Sequence, residues 1–248
     1  MDNAQKTVVI TGAGRGIGTE IARVFARAGY TVIVNYYKSE TAALKLQAEL
    51  TAAGGNAHAF QCDVSDCAAV SGMAARIHKT FGGADVLINN AGVSAWGLFT
   101  DTAAEERRRV LDVNLHGVFN VTHAFLPRMI ERKEGCIINI SSIWGVSGAS
   151  CEAVYSASKA AVVGFTKALA REVGPSGVRV NCIAPGLIDA PETDGMNARF
   201  TREELAGFAA QTALGRAGKP SDPAAAALYL AGAAYVTGQT IVVDGGYL

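Results

Sequence analysis

The stretch TVVITGAGRGIGTEIARVFARAG, residues 7–29, decides the fold of this chain. Its first five residues are apolar or β-branched and predict a short strand, and its second half has the apolar spacing of an amphipathic helix. Between them, Gly12, Gly16 and Gly18 allow a tight turn, a close backbone approach and close helix packing. The amides at the start of the helix can bind a pyrophosphate. The stretch therefore predicts a strand–loop–helix unit that holds a dinucleotide.

The same alternation of apolar runs and amphipathic segments continues along the chain. Further strands are predicted at 31–35, 57–64, 85–90, 136–141, 178–184 and 240–244. Helices are predicted at 16–29, 39–54, 68–82, 102–131, 153–174 and 222–231, with Ser39 as an N-cap and Gly54 as a stop signal. The strands are apolar throughout, which is typical of a parallel sheet covered on both faces. The pattern predicts an α/β fold, a single doubly wound parallel sheet (Rossmann fold) with helices on both faces.

The composition narrows the function classes. The chain has 248 residues, with 22 Lys or Arg against 22 Asp or Glu, and this zero net charge argues against nucleic acid or an anionic membrane surface as a partner. No linker or low-complexity segment interrupts it, so we expect one domain over residues 1–248, with a substrate loop and small helices at about 187–215. The basic run Arg107–Arg109 is expected to be a solvated helix face.

Cysteine, histidine and apolar patterns give further expectations. The five cysteines are odd in number and lack C-x-x-C spacing, so reduced thiols and a cytoplasmic location are expected. The four histidines are scattered, which predicts no metal site. The N-terminal residues carry no signal-peptide pattern, and no apolar run approaches 18 residues, so no membrane span is expected.

A second stretch, SSIWGVSGASCEAVYSASK, ends in a pair that suggests chemistry. Tyr155 and Lys159 are four residues apart on a predicted helix and therefore share one face. Ser142 follows the strand 136–141 and lies at the carboxyl edge of the sheet, where ligands bind in open α/β sheets. A nearby ammonium lowers the pKa of a phenol, so Tyr155 could protonate a carbonyl oxygen while Ser142 holds it.

Together these motifs resemble the short-chain dehydrogenase/reductase family over nearly the whole chain. The glycine loop has the TGxxxGxG form of that family, and the Ser–Tyr–Lys set matches its catalytic residues. The resemblance implies that Asn114 holds a water and relays protons to Lys159. It also implies that Lys159 binds the nicotinamide ribose, that Asp63 binds the adenine amino group, and that the segment 89–92 lines the adenosine ribose.

The cofactor expected from this resemblance is NADP(H). An NAD-binding site would place an acid after the second strand, but Tyr36 stands there, and Arg15 and Lys38 could attract a 2′-phosphate. The resemblance implies that Pro185 and Gly186 lie beside the nicotinamide. The residues assigned to the cofactor are Gly12, Gly14, Arg15, Gly16, Ile17, Gly18, Tyr36, Lys38, Asp63, Val64, Asn90, Ala91, Gly92, Tyr155, Lys159, Pro185, Gly186 and Ile188. The family often has Thr where Ala190 stands, and Thr193 is a substitute.

The substrate side leaves two carbonyl substrates open. The residues assigned to it are Ser142, Trp144, Glu152 and Tyr155. The sequence most resembles bacterial 3-oxoacyl-carrier-protein reductases, in which basic residues such as Lys133 dock the carrier. Glu152 would instead suit a cationic substrate, and its segment resembles reductases of a 5-aminopentanone group on a lysine of elongation factor P. Alternatively, Glu152 faces solvent or a neighbouring subunit.

Two further expectations complete the sequence analysis. Some members of the fold are non-catalytic cofactor-sensing regulators, but this chain keeps the full Asn114–Ser142–Tyr155–Lys159 set, which favours an enzyme. The long helices near 102–131 and 153–174 carry small residues, such as Ala157, Ala160, Ala161 and Gly164, that permit close packing. Because family members pair these helices across two-fold axes, a homotetramer is expected, with a dimer as second choice.

Overall fold

A computed structural model describes residues 5–189 and 200–248. Its strands are β1 (Thr7–Ile10), β2 (Thr31–Tyr36), β3 (Asn56–Gln61), β4 (Val86–Asn89), β5 (Gly135–Ile140), β6 (Val178–Pro185) and β7 (Thr240–Val243). They form one parallel sheet in the order β3-β2-β1-β4-β5-β6-β7. The chain builds outward from β1 to β3 and then returns to place β4 on the other side of β1. The crevice between β1 and β4 is thus the point where such sheets bind ligands.

The helices cover both faces of this sheet. They are α1 (Gly16–Arg27), α2 (Glu40–Ala52), α3 (Cys67–Phe81), α4 (Ala104–Leu111), α5 (Gly117–Arg132), α6 (Trp144–Ser147), α7 (Ala153–Val173), α8 (Arg202–Gln211) and α9 (Ser221–Gly232). One core cluster joins the sheet to α1, α2 and α9, and a second joins it to α3, α5 and α7. The predicted doubly wound sheet with helices on both faces is confirmed.

Three local features differ from the sequence prediction. The helix expected over 102–131 begins at Ala104 and contains a π-helical turn, Asp112–His116, between α4 and α5. Ser39 occupies the N-cap position of α2 but makes no side-chain cap hydrogen bond, and a Cβ on Gly14 would lie 2.5 Å from its Oγ. The short helix α6 and the bounds of α8 were not predicted.

Candidate active site

The glycine loop follows β1 and is shaped by contacts that leave no room for side chains. Gly12 has a φ of +62°, and a Cβ there would lie 2.8 Å from the Cα of Ala91. At Gly18 a Cβ would lie 2.6 Å from the side-chain amide of Asn90. The loop can therefore follow this path only with glycine at these positions, and it brings the start of α1 close to the β4 segment.

Thr11 and Asn90 connect the loop to the end of β4. The Oγ1 of Thr11 accepts hydrogen bonds from the amides of Asn90 and Ala91, each at 3.0 Å. The amide side chain of Asn90 donates back to the carbonyl oxygens of Thr11 and Gly12, at 2.9 and 3.1 Å. These bonds fix both strand ends at the crevice between β1 and β4.

Asn35 supports the loop from the other side and was not predicted. It is 1% exposed at the end of β2, and its Oδ1 accepts a hydrogen bond from the Gly12 amide at 3.3 Å. Its Nδ2 donates to the carbonyl oxygens of Phe60 and Cys62, at 3.2 and 3.1 Å. Its place at the carboxyl end of a buried strand was the available sequence signal.

A cleft of about 670 Å³ opens at this edge of the sheet. Its lining includes twelve residues assigned from sequence to the cofactor: Gly12, Arg15, Gly16, Ile17, Tyr36, Lys38, Asp63, Val64, Asn90, Ala91, Gly92 and Ile188. Arg15 and Lys38 are both exposed, and the Nζ of Lys38 lies 5.5 Å from the ring centroid of Tyr37. The predicted cationic groups therefore lie on the same cleft wall as the end of β2.

Helix α4 adds charged residues to the cleft lining, while Arg108 and Arg109 stay exposed, as expected of a solvated basic face. Arg108 and Arg109 line the cleft, together with the acidic residues Glu105 and Asp112. Arg107 does not line it, since its guanidinium lies 5.8 Å from the ring centroid of Phe99 and donates to the carbonyl oxygen of Thr102. The sequence showed the charges but not which side of α4 faces the cleft.

Asp63 and Val64, which follow β3, line the same cleft. The Oδ1 of Asp63 accepts hydrogen bonds from the amide and the hydroxyl of Ser65, at 2.9 and 2.7 Å, which fix the carboxylate in one orientation. The carbonyl oxygen of Val64 accepts a bond from the Asn120 side chain of α5 at 3.0 Å.

Lys159 is the most deeply buried charged group of the site, with 3% of its surface exposed. Its Nζ donates to the Ile140 carbonyl oxygen at the end of β5 at 2.8 Å, and its own carbonyl oxygen accepts from the Ser141 hydroxyl at 2.9 Å. A Cβ on Gly145 would lie 2.7 Å from the Lys159 carbonyl carbon, so α6 packs tightly against α7 here. Burial lowers the pKa of the Lys159 ammonium to about 8.

Ser142 and Tyr155 lie beside this lysine, each 7% exposed. The Nζ of Lys159 is 5.8 Å from the ring centroid of Tyr155. The Oγ of Ser142 accepts a hydrogen bond from the Trp144 amide at 3.2 Å, so its hydroxyl hydrogen can point to a substrate oxygen. Ser142 follows the carboxyl end of β5, and Tyr155 lies one helical turn before Lys159 on α7.

Asn114 lies in the π-helical turn and connects the cleft to the catalytic helix. Its amide exchanges two hydrogen bonds of 2.8 Å with the backbone of Val93, and its Nδ2 also donates to the Ser158 hydroxyl at 3.1 Å. A Cβ on Gly92 would lie 3.4 Å from both the Asn114 Oδ1 and the Lys159 Nζ. Gly92 therefore keeps a gap between these two polar groups that could hold a water.

The remaining predicted positions lie at the ends of β6 and α7. Gly186 leaves no room for a side chain, because a Cβ would lie 2.8 Å from the Asp244 Cα, and Ile188 forms a bridge with Gly218. Glu152 occupies the N-cap position of α7 and is 4% exposed, so it does not face solvent. Ala190 and Thr193 lie outside the described residues.

A dinucleotide fits this site on the evidence of the cleft itself. Its volume falls within the roughly 300–1,000 Å³ range of small-molecule sites. The loop glycines allow a close backbone approach, and the cationic side chains of Arg15, Lys38, Arg108 and Arg109 line the cleft. Within residues 5–189 and 200–248, no helix has the length and apolar character to cross a bilayer, and no group of three potential ligands could hold a metal ion.

Comparisons with known proteins agree with this geometry. The family model described as Enoyl-(Acyl carrier protein) reductase matches residues 12–248. The 3-oxoacyl-(acyl-carrier-protein) reductase FabG of Staphylococcus aureus is 40% identical over 243 residues, covering 97% of each chain. The 3-oxoacyl-(acyl-carrier-protein) reductase of Synechocystis is 41% identical over 244 residues, covering 97% of this chain and 96% of its own. The oxidoreductase UcpA of Salmonella typhimurium is 42% identical over 248 residues, covering 97% and 94%. With its glycine loop, its Ser–Tyr–Lys set and these matches, the chain belongs to the short-chain dehydrogenase/reductase family.

Proposed function

We propose that this oxidoreductase reduces the ketone of a 3-oxoacyl group to a secondary alcohol with NADPH as the hydride donor. The observation that carries the proposal is the buried Tyr155–Lys159 pair, whose ammonium would lie 3.4 Å from a Cβ on Gly92, a residue that lines a cleft suited to a dinucleotide. The names of the Staphylococcus and Synechocystis relatives support a 3-oxoacyl substrate on a carrier protein. The exposed Lys133, at the end of α5, is a candidate for carrier docking.

The chain's residues would act on the carbonyl oxygen. Ser142 donates a hydrogen bond that positions this oxygen, and Tyr155 transfers its hydroxyl proton to it. The Lys159 ammonium favours the phenolate that remains, and Asn114 fixes the backbone of Val93 beside it. NADPH, when bound, supplies the hydride to the carbonyl carbon.

The preference for NADPH rests on charge. Among the residues that line the β2 side of the cleft, Arg15 and Lys38 are cationic, and no acid stands between Asn35 and Ser39. Glu40 comes next, and it accepts a hydrogen bond from the Tyr36 hydroxyl at 3.3 Å. A 2′-phosphate would be attracted to this wall. The five unpaired cysteines support a reducing, cytoplasmic setting as part of the same proposal.

The test is a steady-state comparison of NADPH and NADH with an acetoacetyl thioester. We expect a higher kcat/KM with NADPH, and we expect Tyr155→Phe to lower kcat by about 10²–10⁴-fold with nearly unchanged NADPH binding, because only the proton donor is removed. The conservative change Tyr235→Phe, at a fully exposed tyrosine, is the control. Retention of more than about a tenth of kcat in Tyr155→Phe would refute the assigned role, and a preference for NADH would refute the cofactor assignment.

Glu152 favours a second candidate, the reduction of an amino-ketone such as a 5-aminopentanone group on a lysine. Glu152 is 4% exposed and stands three residues before Tyr155, and a carboxylate at this position can attract the positive charge of a substrate a few carbons from its carbonyl. Under this candidate, Glu152→Gln lowers kcat/KM for an amino-ketone by about tenfold and leaves a neutral 3-oxoacyl substrate unharmed. Equal effects of Glu152→Gln on both substrates would refute the amino-ketone candidate and leave reduction of a 3-oxoacyl group as the single proposed reaction.

A further inference from the structure

Five aromatic side chains from separate parts of the chain form a continuous line of ring contacts, which we name the aromatic wall. Its members are Trp144, Tyr247, Phe208, Phe200 and Trp96. The Trp144 and Tyr247 centroids are 5.7 Å apart, and those of Tyr247 and Phe208 are 6.4 Å apart. The Phe208 and Phe200 centroids are 5.5 Å apart, and those of Phe200 and Trp96 are 5.9 Å apart.

Both ends of the aromatic wall are joined to the catalytic segment. At one end, the Trp144 amide donates to the Ser142 hydroxyl oxygen at 3.2 Å. At the other end, Gly97, next to Trp96, donates its amide hydrogen to the carbonyl oxygen of Cys151 at 2.9 Å. Cys151 precedes Tyr155 by only four residues. The wall is therefore joined at both ends to the segment 142–151, which leads directly to Tyr155.

Tyr247, the neighbour of Trp144 in the wall, is joined through its own chain segment to the loop expected beside the nicotinamide. Tyr247 follows Gly245 and Gly246, and the carbonyl oxygen of Gly245 accepts a hydrogen bond from the Leu214 amide at 3.0 Å. Asp244 holds this turn through the amides of Gly246 and Leu248, each at 2.9 Å, and packs against Gly186. The position of Tyr247 is therefore tied to the end of β6.

The exposure of the wall argues against a purely structural cluster. None of its five members belongs to the buried core, and Trp96 is 51% exposed. Aromatic side chains lose little conformational entropy on binding, since they have only two rotatable torsions. Three of the four ring contacts are edge-to-face, with interplanar angles of 81°, 68° and 84°. A flat ring of a substrate can continue this pattern, whereas a saturated chain gains only apolar area.

We propose that the aromatic wall selects substrates whose ketone carries an aromatic or conjugated group over substrates with a saturated chain of the same carbon number. The proposal rests on the proposed carbonyl reductase function and names its substrate class. It places Phe208, Phe200, Tyr247 and Trp96 among the specificity-determining residues, beside Trp144, which the sequence had already assigned to the substrate.

The test compares three 3-oxo ethyl esters in which the carbonyl carbon carries a phenyl, a cyclohexyl or an n-hexyl group, each with six carbons. With NADPH, we expect kcat/KM for the phenyl ester to exceed that for the hexyl ester by about 3- to 10-fold, from the extra attraction of aromatic pairs. The cyclohexyl ester separates ring shape from aromatic character and is expected to behave like the hexyl ester. A phenyl-to-hexyl ratio at or below one would overturn the proposal.

Variants locate the effect. Phe208→Leu keeps an apolar side chain of similar length but removes the ring, and we expect it to bring the phenyl-to-hexyl ratio close to one. Tyr235→Leu removes a fully exposed ring outside the wall and should keep the wild-type ratio. An unchanged ratio in Phe208→Leu would overturn the proposal. Circular dichroism confirms that both variants fold.

Two further measurements separate this proposal from the proposed function. Turnover of ethyl 3-oxobutanoate, whose methyl group offers no ring or long chain to the wall, reports the reductase activity alone. The chain's only two tryptophans, Trp96 and Trp144, both belong to the wall, so their fluorescence reports its occupancy without turnover. If no ester is reduced, the proposed function fails. Titration of the NADP⁺ complex with the phenyl and hexyl esters then still tests whether the wall prefers the aromatic group. Tighter binding of the phenyl ester supports it, and equal binding overturns it.

Discussion

At the scale of single residues, Lys159 is a buried ammonium whose hydrogen-bond acceptor is a backbone carbonyl oxygen and not an acidic side chain. Its Nζ hydrogen-bonds the Ile140 carbonyl oxygen, and burial lowers its pKa to about 8 from an ordinary 10.5. The charged form is thus present at neutral pH, where it can favour the phenolate of Tyr155, but it is held there at a cost in stability. Such a cost is typical of catalytic groups.

This cost has a definite pH dependence. Because the folded-state pKa of Lys159 is lowered, the unfolded chain binds the proton more tightly than the folded one. The resulting loss of stability is complete below about pH 8 and disappears as the pH rises from about 8 to 10.5. We expect the free energy of unfolding of wild type, relative to Lys159→Met, to rise by about 3 kcal/mol over this window. Urea unfolding of both proteins at matched concentrations measures it, and subtraction removes the other titrating groups.

The control for this experiment is Lys45→Met, an exposed lysine of α2. Its difference from wild type should stay flat across the same window. A flat difference for Lys159→Met as well would mean that the buried ammonium keeps its ordinary pKa, and the electrostatic part of the catalytic assignment would be lost.

At the scale of elements, helix α4 shows how neighbouring like charges can have different tasks. Arg108 and Arg109 line the cleft, whereas Arg107 packs against Phe99. We expect the double change Arg108→Gln, Arg109→Gln to raise the KM for NADPH about fivefold, since exposed charges contribute modestly, and the effect should shrink as salt screens them. Arg107→Gln, on the same helix, is the control and should leave this KM unchanged. A rise in KM for Arg107→Gln of about half the logarithmic effect of the double change, as expected for one charge against two, would show that only net charge matters.

The same helix marks the limit of sequence reasoning. Gly12 and the Tyr155–Lys159 pair could be identified from local patterns, the glycine from the turn after a strand and the pair from its four-residue spacing on a helix. Ser142 could be assigned to the carboxyl edge of the sheet because it follows a predicted strand. The inward side of α4 and the π-helical turn depend on how distant elements pack, so no local pattern revealed them. Helix α8 is different, since the spacing of Thr201 and Glu204 in its capping box is a local sequence signal for the start of a helix.

At the scale of the whole molecule, assembly stays a prediction, and the surface supports it. Phe119 on α5 is 38% exposed and lies 4.8 Å, centroid to centroid, from Phe165 on α7. We expect a homotetramer of the 25.7 kDa chain, because exposed aromatic groups beside the small residues of α7 favour close pairing of these helices. Light scattering at micromolar concentration measures the mass.

A charged substitution tests which surface is used. Phe119→Glu should dissociate the assembly, whereas Leu44→Glu, at a 47% exposed leucine of α2, should not. A monomeric wild type would contradict the assembly prediction outright. An intact tetramer in Phe119→Glu would show that the interface is not formed by this surface of α5 and α7.

The hydrogen bonds between Thr11 and the end of β4 also bear on how fast the protein forms and how long it lasts. They join positions 79 and 80 residues apart, so the cofactor crevice cannot exist until a long stretch of chain has closed upon itself. Parallel pairing over such separations is intrinsically slow. A ligand that recognises only the finished crevice cannot hasten this closure. It can only lengthen the lifetime of the closed state, so the cofactor would act on this chain as a brake on unfolding rather than as a template for folding.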